Sequence, residues 1–222
     1  MLGIRKGRLY REDLEKFDKI HFSGCTHFCC EGVIHHEKWR KEKYKNEVNM
    51  TDELIVEWNS KVGWNDLVIH LGDFGFEGKE EEMFEVVRQL NGTLLLIRGN
   101  HDTDAFLNGL ERLNNVYVAD DFGVVLRYED KNLEMFLTHY PVMLDWSERR
   151  VSVHSHIHGK QPLFNYMFNV AMDYTREVVT SEEELINRIE GYRSHLTREK
   201  MLEYYDKYRL QPLTIDKETY ER

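Results

Sequence analysis

The alternation of short apolar runs with helical segments in the first half constrains this chain most strongly. Residues 19–23, 66–71 and 93–97 are apolar runs of the kind that form buried strands. Two amphipathic segments separate them, one after Thr51 as the expected helix cap and one around residues 83–90. Strand, helix, strand, helix, strand predicts parallel pairing, so the carboxyl ends of the three strands should meet at one sheet edge.

A polar loop follows each of these strands. The loops contain Cys25-Thr26-His27, Gly72-Asp73 and Gly99-Asn100-His101-Asp102. Ligands of open parallel sheets bind beyond the carboxyl ends of the strands. We therefore expect the three loops to converge on one site.

The second half contains short apolar runs without intervening helices. They cover residues 116–119, 123–128, 133–138, 151–153 and 164–172. The polar segment 129–132 is typical of a hairpin turn. His139 follows the third run, and His156 and His158 follow the fourth, so residues able to bind metal again lie just beyond strands.

Size and charge exclude several classes of protein. A chain of 222 residues and 26.7 kDa favours one main domain. A net charge of −10 argues against a protein that binds long nucleic acid mainly through its phosphates. No stretch approaches the roughly 18 apolar residues of a membrane span, and no apolar signal-peptide run opens the chain. We therefore predict a cytoplasmic protein with no membrane partner.

The C-terminal residues 181–222 are expected to form a helical extension packed on the domain of residues 1–180. Ser181 and Glu184 form a capping box, and a second helix is predicted over residues 198–209. The apolar faces of the two helices contain Ile189, Tyr192, Met201, Tyr205 and Tyr208. Such faces should dock on the domain or on a second copy of the chain, which would give a homodimer.

The loop residues provide two sets of metal ligands. One carboxylate, one amide oxygen and two imidazoles come from Asp73, Asn100, His139 and His156. The other set consists of Cys25, His27 and His158. The first set suits zinc, manganese, iron or nickel. If Asp73 bridges, two divalent ions could lie about 3.5–4 Å apart and activate a hydroxide for in-line attack on phosphorus.

The order of these motifs resembles that of calcineurin-like metallophosphoesterases, whose pattern is D-x-H, G-D, G-N-H-D/E, H and G-H-x-H. The small stand-alone bacterial and phage-type phosphoesterases are the most similar, over residues 19–173. Besides the loops above, the resemblance rests on Trp58-Asn59, His70-Leu71, Phe74, His139-Tyr140-Pro141 and Asn169-Val170. It implies an α/β fold, a four-layer α/β/β/α sandwich, to which the C-terminal helices would be an appendage.

The resemblance also implies roles for individual residues. His27, Asp73 and His158 would bind one metal, and Asp73, Asn100, His139 and His156 the other. His101 would face the substrate and protonate or stabilise the leaving oxygen, with Asp102 orienting its ring. Asn100, His101 and Arg98 would contact the substrate, although an ion-paired or solvated side chain is the alternative for Arg98.

The chain departs from the family pattern at its first ligand. Cys25 replaces the aspartate of D-x-H, and three further departures are Cys29, Cys30 and Ser155. A thiolate keeps the negative charge and binds zinc at about 2.3 Å, but it favours zinc or iron over magnesium or manganese. Ligation by Cys25 and an impaired first site both remain open.

The leading hypothesis is a dinuclear metal-dependent phosphoesterase, a hydrolase that cleaves a small phosphodiester or a nucleotide-type phosphate ester. The alternative is a pseudoenzyme that binds a metal or a nucleotide, which the replacement at Cys25 motivates. A nuclease is disfavoured by the net charge and by the lack of an obvious capping domain.

Overall fold

The computed structural model describes residues 2, 4, 7–110, 112–119, 122–145 and 147–194. In this part of the chain the strands are β1 (Arg8–Tyr10), β2 (Ile20–Ser23), β3 (Leu67–His70), β4 (Thr93–Leu96), β5 (Val116–Val118), β6 (Gly123–Tyr128), β7 (Leu133–Thr138), β8 (Arg150–His154), β9 (Met167–Asn169) and β10 (Thr180–Ser181). The helices are α1 (Glu31–His36), α2 (Lys38–Lys43), α3 (Glu47–Lys61), α4 (Glu80–Gln89), α5 (Asp104–Leu110), α6 (Met172–Thr175) and α7 (Glu182–Ser194), with a 3-10 helix at Arg11–Leu14.

The first sheet has the order β10-β2-β3-β4-β5. Strands β2, β3, β4 and β5 are parallel, and β10 pairs antiparallel with β2. Helix α3 connects β2 to β3, and α4 connects β3 to β4. The parallel pairing predicted from the alternation is therefore confirmed.

The second sheet has the order β1-β6-β7-β8-β9. Strands β6 and β7 form the predicted antiparallel hairpin, whose turn ends at Asn132 with a φ of 47°. Strands β7, β8 and β9 are parallel, so the segments after β7 and β8 leave the sheet at the same edge. His139 and the His156–His158 segment start from that edge.

Alternate residues of the first sheet face two different cores. Ile69 packs in the cluster that includes Leu126 and Leu137 of the second sheet. Val68 packs on the opposite face, with Trp58 of α3 and Met83 of α4 among its cluster. This stacking of helices, sheet and sheet is that of the predicted α/β sandwich.

The first C-terminal helix, α7, packs against the sheets. Leu185 and Ile189 of α7 are buried in the cluster between the sheets. The Ser181 side chain accepts a hydrogen bond from the Glu184 amide at 3.2 Å, which confirms the cap. The second predicted helix, with Met201, Tyr205 and Tyr208, lies outside the described residues. The boundary at residue 180 and the homodimer remain predictions.

Three local expectations were wrong or incomplete. Helix α3 is capped by Asn46, whose side chain accepts from the Asn49 amide, and Thr51 lies inside the helix. The run at 164–172 contains only the short strand β9 before α6 begins at Met172. The helices α1 and α2 were not predicted. Among the described residues, no helix has the length and apolarity needed to cross a membrane.

Candidate metal site

The five predicted segments converge on one site, and glycines allow the closest approach. A Cβ on Gly99 would lie 2.3 Å from the backbone nitrogen of Asp73 and 2.3 Å from its Oδ1. Gly72 has a φ of 86°, and a Cβ there would lie 2.5 Å from the Gly99 nitrogen. Only glycine fits at these two positions, which brings the loop after β3 against the loop after β4.

The contact between these loops orients Asp73. Its Oδ1 accepts a hydrogen bond from the His101 amide at 2.9 Å. Its Oδ2 is directed to the histidines, 3.8 Å from His27 Nε2 and 3.3 Å from His139 Nε2. Asp73 therefore offers one oxygen to both predicted sets of ligands.

The first cluster consists of Cys25, His27, Asp73 and His158, with ligand atoms within 4.8 Å of one another. The two Nε2 atoms of His27 and His158 are 3.4 Å apart. Cys25, His27 and Asp73 are buried, and the His158 side chain is one-quarter exposed. This is the set predicted from the sequence, including Cys25.

The second cluster consists of Asp73, His139 and His156, with Asn100 beside them. His139 Nε2 lies 3.1 Å from His156 Nδ1 and 3.0 Å from Asn100 Oδ1. His139 Nδ1 lies 2.8 Å from the Leu71 carbonyl oxygen. A proton on Nδ1 satisfies that carbonyl and leaves the Nε2 lone pair facing the cluster, as metal-binding histidines require.

The spacing of these atoms fits a bound metal. Zinc–nitrogen bonds of about 2.0–2.1 Å in tetrahedral geometry place two ligand nitrogens about 3.3 Å apart. The observed nitrogen–nitrogen distances are 3.4 Å in the first cluster and 3.1 Å in the second. Nitrogen, oxygen and thiol ligands of this kind suit divalent transition metals.

The backbone is strained at the first cluster. Seven non-glycine residues among those described have positive φ. Four of the seven are Cys25, His27, Asp73 and His158, with φ between 50° and 56°. Left-handed backbone at such residues costs about 1–3 kcal/mol each and persists where the surrounding structure enforces it, often at functional sites. All four members of the first cluster are therefore held in a backbone conformation that is uncommon for non-glycine residues.

The environment favours the ligand form of His27 and Asp73 and opposes that of Cys25. Burial, aided by the positive charge of Arg40, lowers the pKa of His27 to about 3. Burial would raise the pKa of Asp73, but the hydrogen bond and charge of His139 and the charge of His27 lower it below its usual range. Burial and the negative charge of Asp73 raise the pKa of the Cys25 thiol well above its ordinary value. Cys25 must therefore lose its proton to bind a metal.

The predicted catalytic histidine lies at the mouth of the site. The His101 ring is 5.5 Å from the His27 ring, between centroids, and 5.2 Å from that of the half-exposed Phe76. Its role of facing the substrate stays a prediction.

Asp102 differs from its predicted role. Its carboxylate is buried and accepts hydrogen bonds from the backbone amides of Asp73, Phe74 and Gly99 at 2.8–3.0 Å. It therefore joins the loops after β3 and β4 and does not orient the His101 ring. The reason is that both carboxylate oxygens accept from backbone amides, two in the loop after β3 and one in its own loop after β4.

Arg98 takes the ion-paired alternative. Its Nη1 lies 2.5 Å from Asp104 Oδ1, and its side chain is exposed. A contact with substrate would require this surface pair to open, which is inexpensive because such pairs contribute at most about 1 kcal/mol.

Sequence reasoning missed two buried residues beneath the first cluster. Arg40 and Asp173 form an ion pair that touches the loop of Cys25 and the side chain of His158. Arg40 lies in the charged segment KWRKEK, which looks like a solvated helix face. Within this segment, the apolar Trp39 next to Arg40 is the feature that indicates burial.

Comparison with known proteins agrees with this architecture. The family model for calcineurin-like phosphoesterases matches residues 18–210. An uncharacterised protein of Methanocaldococcus jannaschii is 35% identical over 85 residues, which span 38% of this chain and 47% of that protein. The match therefore spans about half the length of that relative. A crystal structure of a protein of unknown function from Aquifex aeolicus shares the fold, with a TM-score of 0.58 and 20% identity over 76% of this chain and 98% of the other.

The two sheets and the paired clusters have the arrangement expected of a metallophosphoesterase domain. The chain belongs to the calcineurin-like phosphoesterase family. Members of this family use divalent metals, and the described residues contain candidate ligand groups for them.

Proposed function

We propose that this chain hydrolyses a small phosphodiester or a nucleotide-type phosphate ester, with one divalent ion in each cluster. The observation that carries this proposal is the position of Asp73 Oδ2, which lies within 3.8 Å of His27 Nε2 and 3.3 Å of His139 Nε2. Two such ions, when bound, lower the pKa of the attacking water and neutralise charge at phosphorus.

The residues around the clusters support a small substrate with a planar group. In this proposal His101, whose ring is 5.5 Å from that of His27, donates a proton to the leaving oxygen. Phe76 is next to His101, and the Tyr140 ring is 4.2 Å from that of His156. Exposed aromatic rings on both sides of the site can stack on a nucleobase or an aryl group. The net charge of −10 disfavours a long nucleic-acid duplex.

The direct test is hydrolysis of bis(p-nitrophenyl) phosphate and p-nitrophenyl phosphate after removal of metal. Manganese, zinc, ferrous iron and nickel are then added separately. We expect metal-dependent cleavage with the diester preferred, and loss of that activity in Asp73→Asn. Glu53→Gln, on the exposed surface of α3, is the control that should retain it. Absence of cleavage with every metal would contradict the proposal.

The second candidate is a binding protein with an impaired first cluster. The raised pKa of Cys25 favours this candidate, because a protonated thiol is a poor metal ligand. Cys25→Asp distinguishes the two. If the native thiolate already binds zinc or iron, the change should shift the metal preference towards manganese with little change in maximal rate. If the native cluster is impaired, the manganese-dependent rate itself should rise from a low level.

A further inference from the structure

A fully buried ion pair lies beneath the first cluster. Arg40 Nε is 2.7 Å from Asp173 Oδ1, and Arg40 Nη2 is 2.9 Å from Asp173 Oδ2. The indole nitrogen of Trp39 donates to Asp173 Oδ1 at 2.6 Å. Both charged side chains have no exposed surface. Because the desolvation of two charges offsets most of their attraction, net stability alone is a weak reason to bury such a pair.

Arg40 also holds the loop that presents two ligands of the first cluster. Its Nη2 donates to the Cys25 carbonyl oxygen at 2.6 Å, and its Nη1 donates to the Thr26 carbonyl oxygen at 2.7 Å. Cys25 and His27 both have a φ of 52°, in the left-handed region. A strained backbone needs contacts that enforce it. The two hydrogen bonds from Arg40 are such contacts. They hold the carbonyl groups of Cys25 and Thr26, next to the left-handed residues Cys25 and His27.

Asp173 orients a third ligand. Its Oδ2 lies 2.8 Å from His158 Nδ1. The negative charge beside Nδ1 favours the tautomer with its proton on Nδ1, which leaves the lone pair on Nε2. His158 Nε2 is the atom that faces His27 Nε2 across the cluster, at 3.4 Å. The Asp173 carboxylate thus favours the tautomer of His158 that can bind a metal through Nε2.

We propose that Asp173 and Arg40 are positioning residues for the first metal, which together orient His158 and the loop of Cys25 and His27. This inference rests on the proposed metal site and adds two residues that act through the ligands. The inference predicts that a change at Asp173 weakens metal binding at the first cluster and not at the second. The reason is that His139 of the second cluster is oriented by the Leu71 carbonyl oxygen.

The test is a zinc titration of the full chain, with the ring nitrogen NMR signals of His158 and His156 as reporters of the two clusters. Asp173→Asn should raise the zinc Kd at the first cluster about 10–100-fold and change that at the second by less than about threefold. Glu53→Gln, on the exposed surface of α3, is one control. It should leave both Kd values unchanged.

A second control separates positioning from general loss of stability. Asp66 Oδ2 contacts His21 Nε2 at 3.0 Å, and both side chains are buried next to the amino end of β3, away from the clusters. Asp66→Asn should lower the melting temperature without altering either zinc Kd. An unchanged first-cluster Kd in Asp173→Asn, or equal weakening at both clusters, would overturn the inference.

Wild-type protein provides a measurement that does not depend on the folding of a variant. In the zinc-loaded protein, His158 should show a protonated Nδ1 and a metal-bound Nε2, and a metal-bound Nδ1 would overturn the inference. Failure of the wild type to bind zinc at the first cluster would refute the proposed function, and the inference with it. Normal zinc binding with no effect of Asp173→Asn would refute the inference alone.

Discussion

Replacing Cys25 by serine should reduce by about one the number of protons released when the first metal binds. A thiol with the ordinary pKa of about 8.5 is roughly 90% protonated at pH 7.5, and burial and Asp73 raise the pKa of Cys25 well above its ordinary value. Metal ligation requires the thiolate, so binding must release that proton. His27, whose pKa burial lowers to about 3, and Asp73, whose carboxyl is already ionised, release none.

The predicted difference between wild type and Cys25→Ser is therefore at least about 0.9 proton per metal at pH 7.5. Isothermal titration with zinc, in two buffers that differ in ionisation enthalpy, measures this number directly. The affinity of the wild type should also rise about tenfold more per pH unit than that of the variant. Cys29→Ser is the control, since Cys29 is a half-buried thiol outside the ligand clusters. Equal proton counts in wild type and Cys25→Ser would refute ligation by the Cys25 thiolate.

Three further outcomes are expected. His101→Ala should reduce turnover about 10²–10⁴-fold with metal content intact, as measured by phosphodiester hydrolysis and metal analysis, and unchanged turnover would remove His101 from the mechanism. Gly99→Ala should reduce metal content, since the new Cβ would lie 2.3 Å from Asp73 Oδ1, and full occupancy with wild-type affinity would contradict this. Burial lowers the pKa of His70 to about 3 and of His154 to about 4. Because unfolding lets each take up a proton below its unfolded pKa of about 6.5, the free energy of unfolding should fall by about 2 kcal/mol per histidine from pH 7.5 to pH 5. Urea denaturation at both pH values checks this, and a flat profile would contradict it.

Much of the fold follows from local patterns in the sequence. The runs at Gly123–Tyr128 and Leu133–Thr138 are rich in apolar residues, and the observed strands have the predicted bounds. The pair α1 and α2 was not predicted, because each has six residues and neither shows a continuous apolar stripe. In such short helices, burial is decided by contacts with the rest of the chain.

The candidate ligands were predictable because each follows a strand, and the carboxyl ends of parallel strands share an edge. The role of Asp173 was not, because its partner Arg40 is 133 positions away in sequence. For Asp102 the sequence suggested a local partner, but its partners include distant residues. Its neighbour His101 suggested a partner one position away, but its carboxylate accepts from backbone amides as far as 29 positions away.

The geometry of the first cluster is largely independent of the side chain at position 25. Arg40 binds the carbonyl oxygen of Cys25 and not its sulfur, and the Cys25 amide donates to the Gly72 carbonyl oxygen at 2.9 Å. These backbone contacts would be the same for the aspartate that the family pattern has at this position. His27, Asp73 and His158 are likewise fixed by contacts that do not involve the thiol. Having a thiol at position 25 in place of a carboxylate therefore changes the chemistry of one ligand while the backbone around it stays the same. Its effect should fall on metal preference and proton release, and not on the fold.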